Sequence, residues 1–110
     1  MDDERIIELY WQRDEAAVSA TDDKYGALLR TLSQGIVSSR EDAEECVNDT
    51  YLALWNAMPP NRPARLRAYA AGTARNISLR RYRDGRTRRR GASSSRAGRM
   101  TSLTASRPTR

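Results

Sequence analysis

Between Ser39 and Met58 the chain spaces Ala43, Cys46, Val47, Thr50, Tyr51, Leu54 and Met58 at intervals of three and four. Only a helix gathers such positions on one face, so this segment must present an apolar stripe to a core built by other elements. Glu41, Glu44, Glu45, Asn48 and Asp49 fall on the opposite side, with Leu52 the only large apolar residue among them. Ser39 is placed to cap the helix start, and Asp42 stands three positions on, a capping-box arrangement with a shortened acid. The stripe anchors the helix, and the acidic face with its lone leucine offers a docking surface to a basic partner helix.

The flanking sequence supplies the other helices. Ile6, Ile7, Tyr10 and Trp11 begin an amphipathic segment behind an acidic turn, Asp2 to Glu4, which suits a helix N-terminus. Helical character resumes over Asp14 to Lys24, and Gly26 marks a kink or a break. Tyr25, Leu28, Leu29, Leu32, Ile36 and Val37 form a further stripe, closed by Gly35, Ser38 and Ser39. Pro59-Pro60-Asn61-Arg62-Pro63 must be extended or turned, because proline removes amide donors and disfavours helix in the residue before it; Pro63 fits the first turn of the next helix. Leu66, Tyr69, Ala70, Thr73, Ile77 and Leu79 give that helix an inner face, and Arg65, Arg67, Arg75, Asn76, Arg80, Arg81 and Arg83 lie largely outside. No run alternates with period two. The expected fold is all-α, a compact bundle of about four helices over residues 1–82.

From residue 83 the periodicity stops. Residues 83–110 hold nine arginines, five serines and four threonines, with Met100 and Leu103 the only large apolar residues. Such a segment buries too little surface to offset its chain entropy and is expected to be a disordered tail. Charge divides at nearly the same place. Residues 1–79 carry nine basic and thirteen acidic residues, a net of −4, whereas residues 80–110 carry eleven arginines and one aspartate, a net of +10. The chain is an acidic body with a cationic tail.

Composition narrows the chemistry. Without histidine there is no Ser-His pair, Lys24 is the only lysine, and the glycines at 85, 91 and 98 form no phosphate loop. The carboxylate pairs Glu44-Glu45 and Asp22-Asp23 read as solvated helix faces. One cysteine and no histidine give no zinc-ligand spacing, so neither a metal nor another cofactor is expected, nor an enzyme. The acidic start MDDER is unlike a signal peptide, and no apolar run reaches the length of a membrane span, so a cytoplasmic protein with no membrane partner is expected. Nucleic acid is the better partner. Asn76 and its neighbouring arginines can donate to base edges, Arg80, Arg81 and Arg83 can meet phosphates, and Tyr69, Tyr82 and Trp55 offer rings for unpaired bases. From periodicity alone, Tyr69 and Trp55 read as core residues.

EDAEECVNDTYLALW resembles the second conserved region of bacterial RNA polymerase sigma factors, in particular the extracytoplasmic-function group, whose equivalent helix reads approximately A-E-D-V-V-Q-E-T-F-L-R-L-W. The register holds from Ala43 to Trp55. The resemblance implies that Glu45, Asn48, Asp49 and Leu52 dock on the clamp coiled coil of the largest subunit of core RNA polymerase. It places Asn56 to Arg65, with Asn61 and Arg62, where the family captures a flipped non-template base of the −10 promoter element. LRAYAAGTARNISLRRY, Leu66 to Tyr82, looks like the promoter-reading helix, with Tyr69, Arg75, Asn76 and Arg83 on the family pattern. Thr73 replaces a large aliphatic and Arg80 an acidic or amide residue. The implied function is to dock on polymerase and to recognise and melt the −10 element in transcription initiation; an anti-sigma factor is a further partner the resemblance admits.

A full member of that family continues into a second helical domain with a helix-turn-helix for the −35 element. Here an Arg/Ser/Thr-rich tail follows instead, which suits a gene read in a shifted frame, a truncation or a functional basic tail. Two other functions fit the same residues: a polymerase-binding decoy that does not initiate, and an unrelated helical nucleic-acid binder acting through its tail.

Overall fold

A computed structural model of the chain describes residues 1–91, with side chains through residue 85. Four helices follow one another: α1 (Asp3–Trp11), α2 (Ala16–Gln34), α3 (Arg40–Ala57) and α4 (Leu66–Gly91). The described residues contain no strand. α4 lies against both α2 and α3, α2 packs on α3, and α1 closes the bundle mainly on α2.

Local chemistry sets the helix ends. The Asp2 carboxylate accepts from the Arg5 amide at 2.9 Å and starts α1, and Ser39 Oγ accepts from the Asp42 amide at 2.9 Å and starts α3. α1 stops in a Schellman arrangement: the Asp14 amide donates to the Leu9 carbonyl and the Arg13 amide to the Tyr10 carbonyl, each at 3.0 Å. The residue in the left-handed region there is Arg13, at φ 58°, where glycine is the usual occupant. Asp14 then caps α2 by accepting from the Ala16 amide at 2.9 Å.

The α3 stripe is buried as its spacing predicts: Ala43, Cys46, Val47, Thr50, Tyr51, Leu54 and Met58 all face inward. Val47, Tyr51, Leu54 and Met58 meet Ile6, Ile7, Leu9 and Tyr10 of α1, Ala17, Tyr25 and Leu29 of α2, and Leu66, Ala70 and Ala74 of α4, whereas Ala43 and Cys46 form a second cluster with Val37, flanked by Ile36 and Ile77. Trp55 and Tyr69 are half-buried and pack on this core. The buried hydroxyls are paired, as burial demands. Tyr10 and Thr21 share a hydrogen bond of 2.8 Å, Ser33 and Ser78 another of 2.8 Å, and Thr50 donates to the Cys46 carbonyl.

Three expectations change. Gly26 does not break α2, which runs through it from Ala16 to Gln34. A Cβ built at Gly26 would lie 2.5 Å from Asp22 Oδ1 and 2.7 Å from Arg30 Nη1, so the glycine makes room for an ion pair that passes over the helix surface. The inner row of α4 is Leu66, Ala70, Ala74 and Ser78, whereas Tyr69, Thr73, Ile77 and Leu79 are only half-buried on its flanks. Alanine and serine carry little hydropathy signal, and the larger residues beside them drew the stripe off its true centre. Finally, α4 continues to Gly91, so residues 83–91, expected in the disordered tail, are helical. Arginine is a good helix former and needs no apolar period to extend a helix already nucleated by packing. The rest of the expected tail, 92–110, lies outside the described residues.

Candidate functional site

Glu45, Asn48, Asp49 and Leu52 are spaced by three and four along α3 and are all exposed, Leu52 to 58%. The burial of Val47, Thr50, Tyr51 and Leu54 turns this row outward and fixes its direction. An exposed leucine flanked by carboxylates and an amide suits a partner helix that brings an apolar residue among basic ones.

On α4, Asn76, Arg80 and Arg83 are exposed and share one side of the helix with half-buried Tyr69 at its upstream end. Arg75 is exposed one strip round, on the side of Tyr82. Asn61 and Arg62 are exposed in the proline loop, and Asn61 Nδ2 donates to the Tyr69 hydroxyl at 3.3 Å, which joins the loop to the start of that row. Asn61, Tyr69, Asn76, Arg80 and Arg83 thus form a continuous track of amide, ring and guanidinium groups, suited to unpaired bases and their phosphates.

Arg81 departs from the outward position read for it. Four-residue steps carry the inner row from Leu66 to Ser78, and the next position on that side is Arg81, which points toward α3. Its Nη1 lies 2.7 Å from Glu45 Oε1 and 3.1 Å from Asp42 Oδ1. Burial works against its charge, but the Glu45 and Asp42 carboxylates outweigh it and raise its pKa. Glu45 therefore carries a structural bond as well as a place on the exposed row of α3.

Several residues that shape the site carry no motif. The Arg13 guanidinium donates from Nη1 to the carbonyls of Trp55 and Met58, both at 2.8 Å, and lies 3.8 Å from the centre of the Trp55 ring. It satisfies carbonyls at the end of α3 that have no helical partner. Trp11 Nε1 donates to the Asn61 carbonyl at 2.9 Å, and Arg62 stacks 4.7 Å over the Trp11 ring while pairing with Glu8 at 2.8 Å. An arginine in a helix-helix connection and a tryptophan on an amphipathic stripe give no sequence sign of contacts more than forty residues away.

The four-helix domain thus presents an acidic row with one exposed leucine on α3 and an amide-arginine row on α4. The family model of sigma-70 region 2 matches residues 22–89, and the chain belongs to that family. It is a sigma-factor domain of transcription initiation, from a family of initiation factors that bind RNA polymerase and promoter DNA. No curated protein and no solved structure gives a match. None of the described helices is long and apolar enough to cross a membrane.

Proposed function

We propose that the domain is the promoter-melting part of an extracytoplasmic-function-type sigma factor working in the cytoplasm. It docks on the clamp coiled coil of the largest polymerase subunit through Glu45, Asn48, Asp49 and Leu52. It holds the unwound non-template strand of the −10 element with Asn61 and Arg62 of the loop and Arg75, Asn76, Arg80 and Arg83 of α4. Asn76 reads a base edge, and the arginines neutralise phosphates. Arg81 keeps α4 on α3. Base unstacking draws on binding energy and requires no cofactor. The observation that carries this reading is the outward row on α3, where Leu52 is 58% exposed over a fully buried Val47 and Leu54.

The test measures the affinity of the chain for core polymerase, then the selectivity of the complex for single-stranded −10 oligonucleotides over scrambled ones. Leu52→Asp and Asp49→Lys should weaken polymerase binding without altering circular dichroism. Asn76→Ala should relax base preference, whereas Arg80→Ala should weaken all sequences alike and flatten the salt dependence. Unchanged polymerase affinity in both α3 variants refutes the docking face. Polymerase binding with no base preference and no initiation makes the protein a decoy. Loss of all nucleic-acid binding on deletion of 84–110, with no polymerase binding by the intact chain, makes it a tail-driven binder.

A further inference from the structure

The loop that carries Asn61 and Arg62 is held from outside the matched region. Its entry is fixed by Arg13, whose guanidinium bonds the carbonyls of Trp55 and Met58 at 2.8 Å each. Its middle is fixed by Trp11, which donates to the Asn61 carbonyl at 2.9 Å and supplies the ring under Arg62. Glu8 sets the guanidinium of Arg62 in place at 2.8 Å. All three anchors belong to α1 or the α1–α2 corner, upstream of residue 22, where the sigma-70 region 2 match begins.

The corner is also where the backbone is strained. A non-glycine residue at φ 58° costs about 1 kcal/mol or more, and persists only where its surroundings over-determine it. At Arg13 the surroundings are the Trp55 ring and the carbonyls of Trp55 and Met58 at the end of α3. The Schellman turn points Arg13 across the bundle toward the end of α3, and Trp11, two residues earlier, reaches the loop that follows. One short corner therefore sets both the exit of α3 and the path of the loop.

We infer that Trp11 and Arg13 are positioning residues for promoter recognition, holding Asn61 and Arg62 in the geometry that accepts an unpaired base. This rests on the proposed role of the loop in binding the non-template strand. Neither residue needs to touch DNA, and both lie apart from the α3 docking row.

Trp11→Phe separates positioning from gross packing, because it keeps an aromatic ring under Arg62 while removing the donor to Asn61 and part of the indole face. Arg13→Ala removes the corner's side chain, and Arg13→Lys restores a cation able to donate to the same carbonyls. Each variant is assayed in the full chain for melting temperature, core-polymerase affinity, Asn61 amide exchange and preference between −10 oligonucleotides that differ at single bases. With polymerase affinity held, Trp11→Phe should lower the base-preference ratio about fivefold, the worth of one hydrogen bond, and speed Asn61 amide exchange. Arg13→Ala should lower it further, and Arg13→Lys should recover part of the loss. If wild type discriminates between bases and Trp11→Phe and Arg13→Ala discriminate equally well, the inference is overturned and the function stands. A fall in polymerase affinity parallel to the fall in preference also overturns it, because it marks general destabilisation. If polymerase-bound wild type has no base preference, the proposed function fails first and the positioning role with it.

Discussion

Replacing Gly26 by alanine sets helix propensity against a specific contact, and the structure decides which wins. Mid-helix, alanine is favoured over glycine by about 1 kcal/mol, so propensity alone predicts a more stable α2. The new Cβ, however, would lie 2.5 Å from Asp22 Oδ1. That same oxygen accepts the Tyr51 hydroxyl at 2.7 Å and pairs with Arg30 at 2.7 Å. Asp22 must turn away, and both bonds go. The ion pair, with side chains 36% and 40% exposed, is worth about 0.5 kcal/mol after solvent screening. The hydrogen bond from buried Tyr51 to an ionised carboxylate is worth about 1.5 kcal/mol. Gly26→Ala should therefore destabilise the domain by about 1 kcal/mol, a fall of roughly 4–8 °C in melting temperature for a domain this size. In an Asp22→Ala background the carboxylate is gone and the Arg30 guanidinium, released from it, is free to swing aside, so the same substitution should stabilise by about 1 kcal/mol. Urea melts of the four proteins in this cycle give the answer. An equal effect of Gly26→Ala in both backgrounds would refute the account of why a glycine stands in the middle of α2.

Other outcomes follow from the same contacts. The Tyr51 hydroxyl, with the Arg30 guanidinium, holds the Asp22 carboxyl below its ordinary value of 3.8. A group more acidic in the folded state stabilises fully above about pH 3.8 and loses that contribution as pH falls through the lower folded value, so Asp22→Asn should flatten the acid limb of the stability curve. Val47→Asp puts a charge at a fully buried position and should cost about 4 kcal/mol or unfold the domain, seen by circular dichroism. Glu45→Lys breaks the 2.7 Å pair with Arg81 and should cost about 1 kcal/mol in a urea melt, alongside its effect on polymerase binding. At Arg13 the glycine variant should be about 1 kcal/mol more stable than the alanine variant, because both lack the side chain and only alanine keeps the left-handed strain. Equal stability of the two would remove that strain from the account.

The helices of the body were legible because the stripes of α1 and α3 each carry several large apolar residues and their spacing admits one period. Ser39 was legible as a cap because capping is local chemistry. The outward direction of Glu45, Asn48, Asp49 and Leu52 on α3 followed once the buried side was known, since on a helix the one fixes the other. What escaped reading depends on distance in sequence. Arg13 looks like any loop arginine until the end of α3 is brought beside it. Gly26 reads as a breaker until Asp22 and Arg30 are seen to meet across it. Arg81 sits in an arginine-rich run where every member resembles its neighbours, and only the angular advance of the Leu66–Ser78 row singles out the one that turns inward.

That advance also ties the two surfaces of the site together. Ala70, Ala74 and Ser78 are small, so α4 comes close to α2 and α3 with little side chain between, and Ser33 and Ser78 bond directly across the gap. A helix seated this closely has little room to rotate. Rotation would draw Ser78 from Ser33 and pull Arg81 from between Asp42 and Glu45. The same contacts therefore fix the direction of Asn76, Arg80 and Arg83 relative to the exposed row on α3. Enlarging Ala74 would push α4 outward and misalign the proposed DNA-reading row while leaving Asn48, Asp49 and Leu52 in place. Loss of base preference at retained polymerase affinity is thus the expected signature of a defect in this helix-helix seam as well as in the loop. The two differ in the readout at Asn61, whose amide bond to the Ala57 carbonyl belongs to the loop and not to the seam.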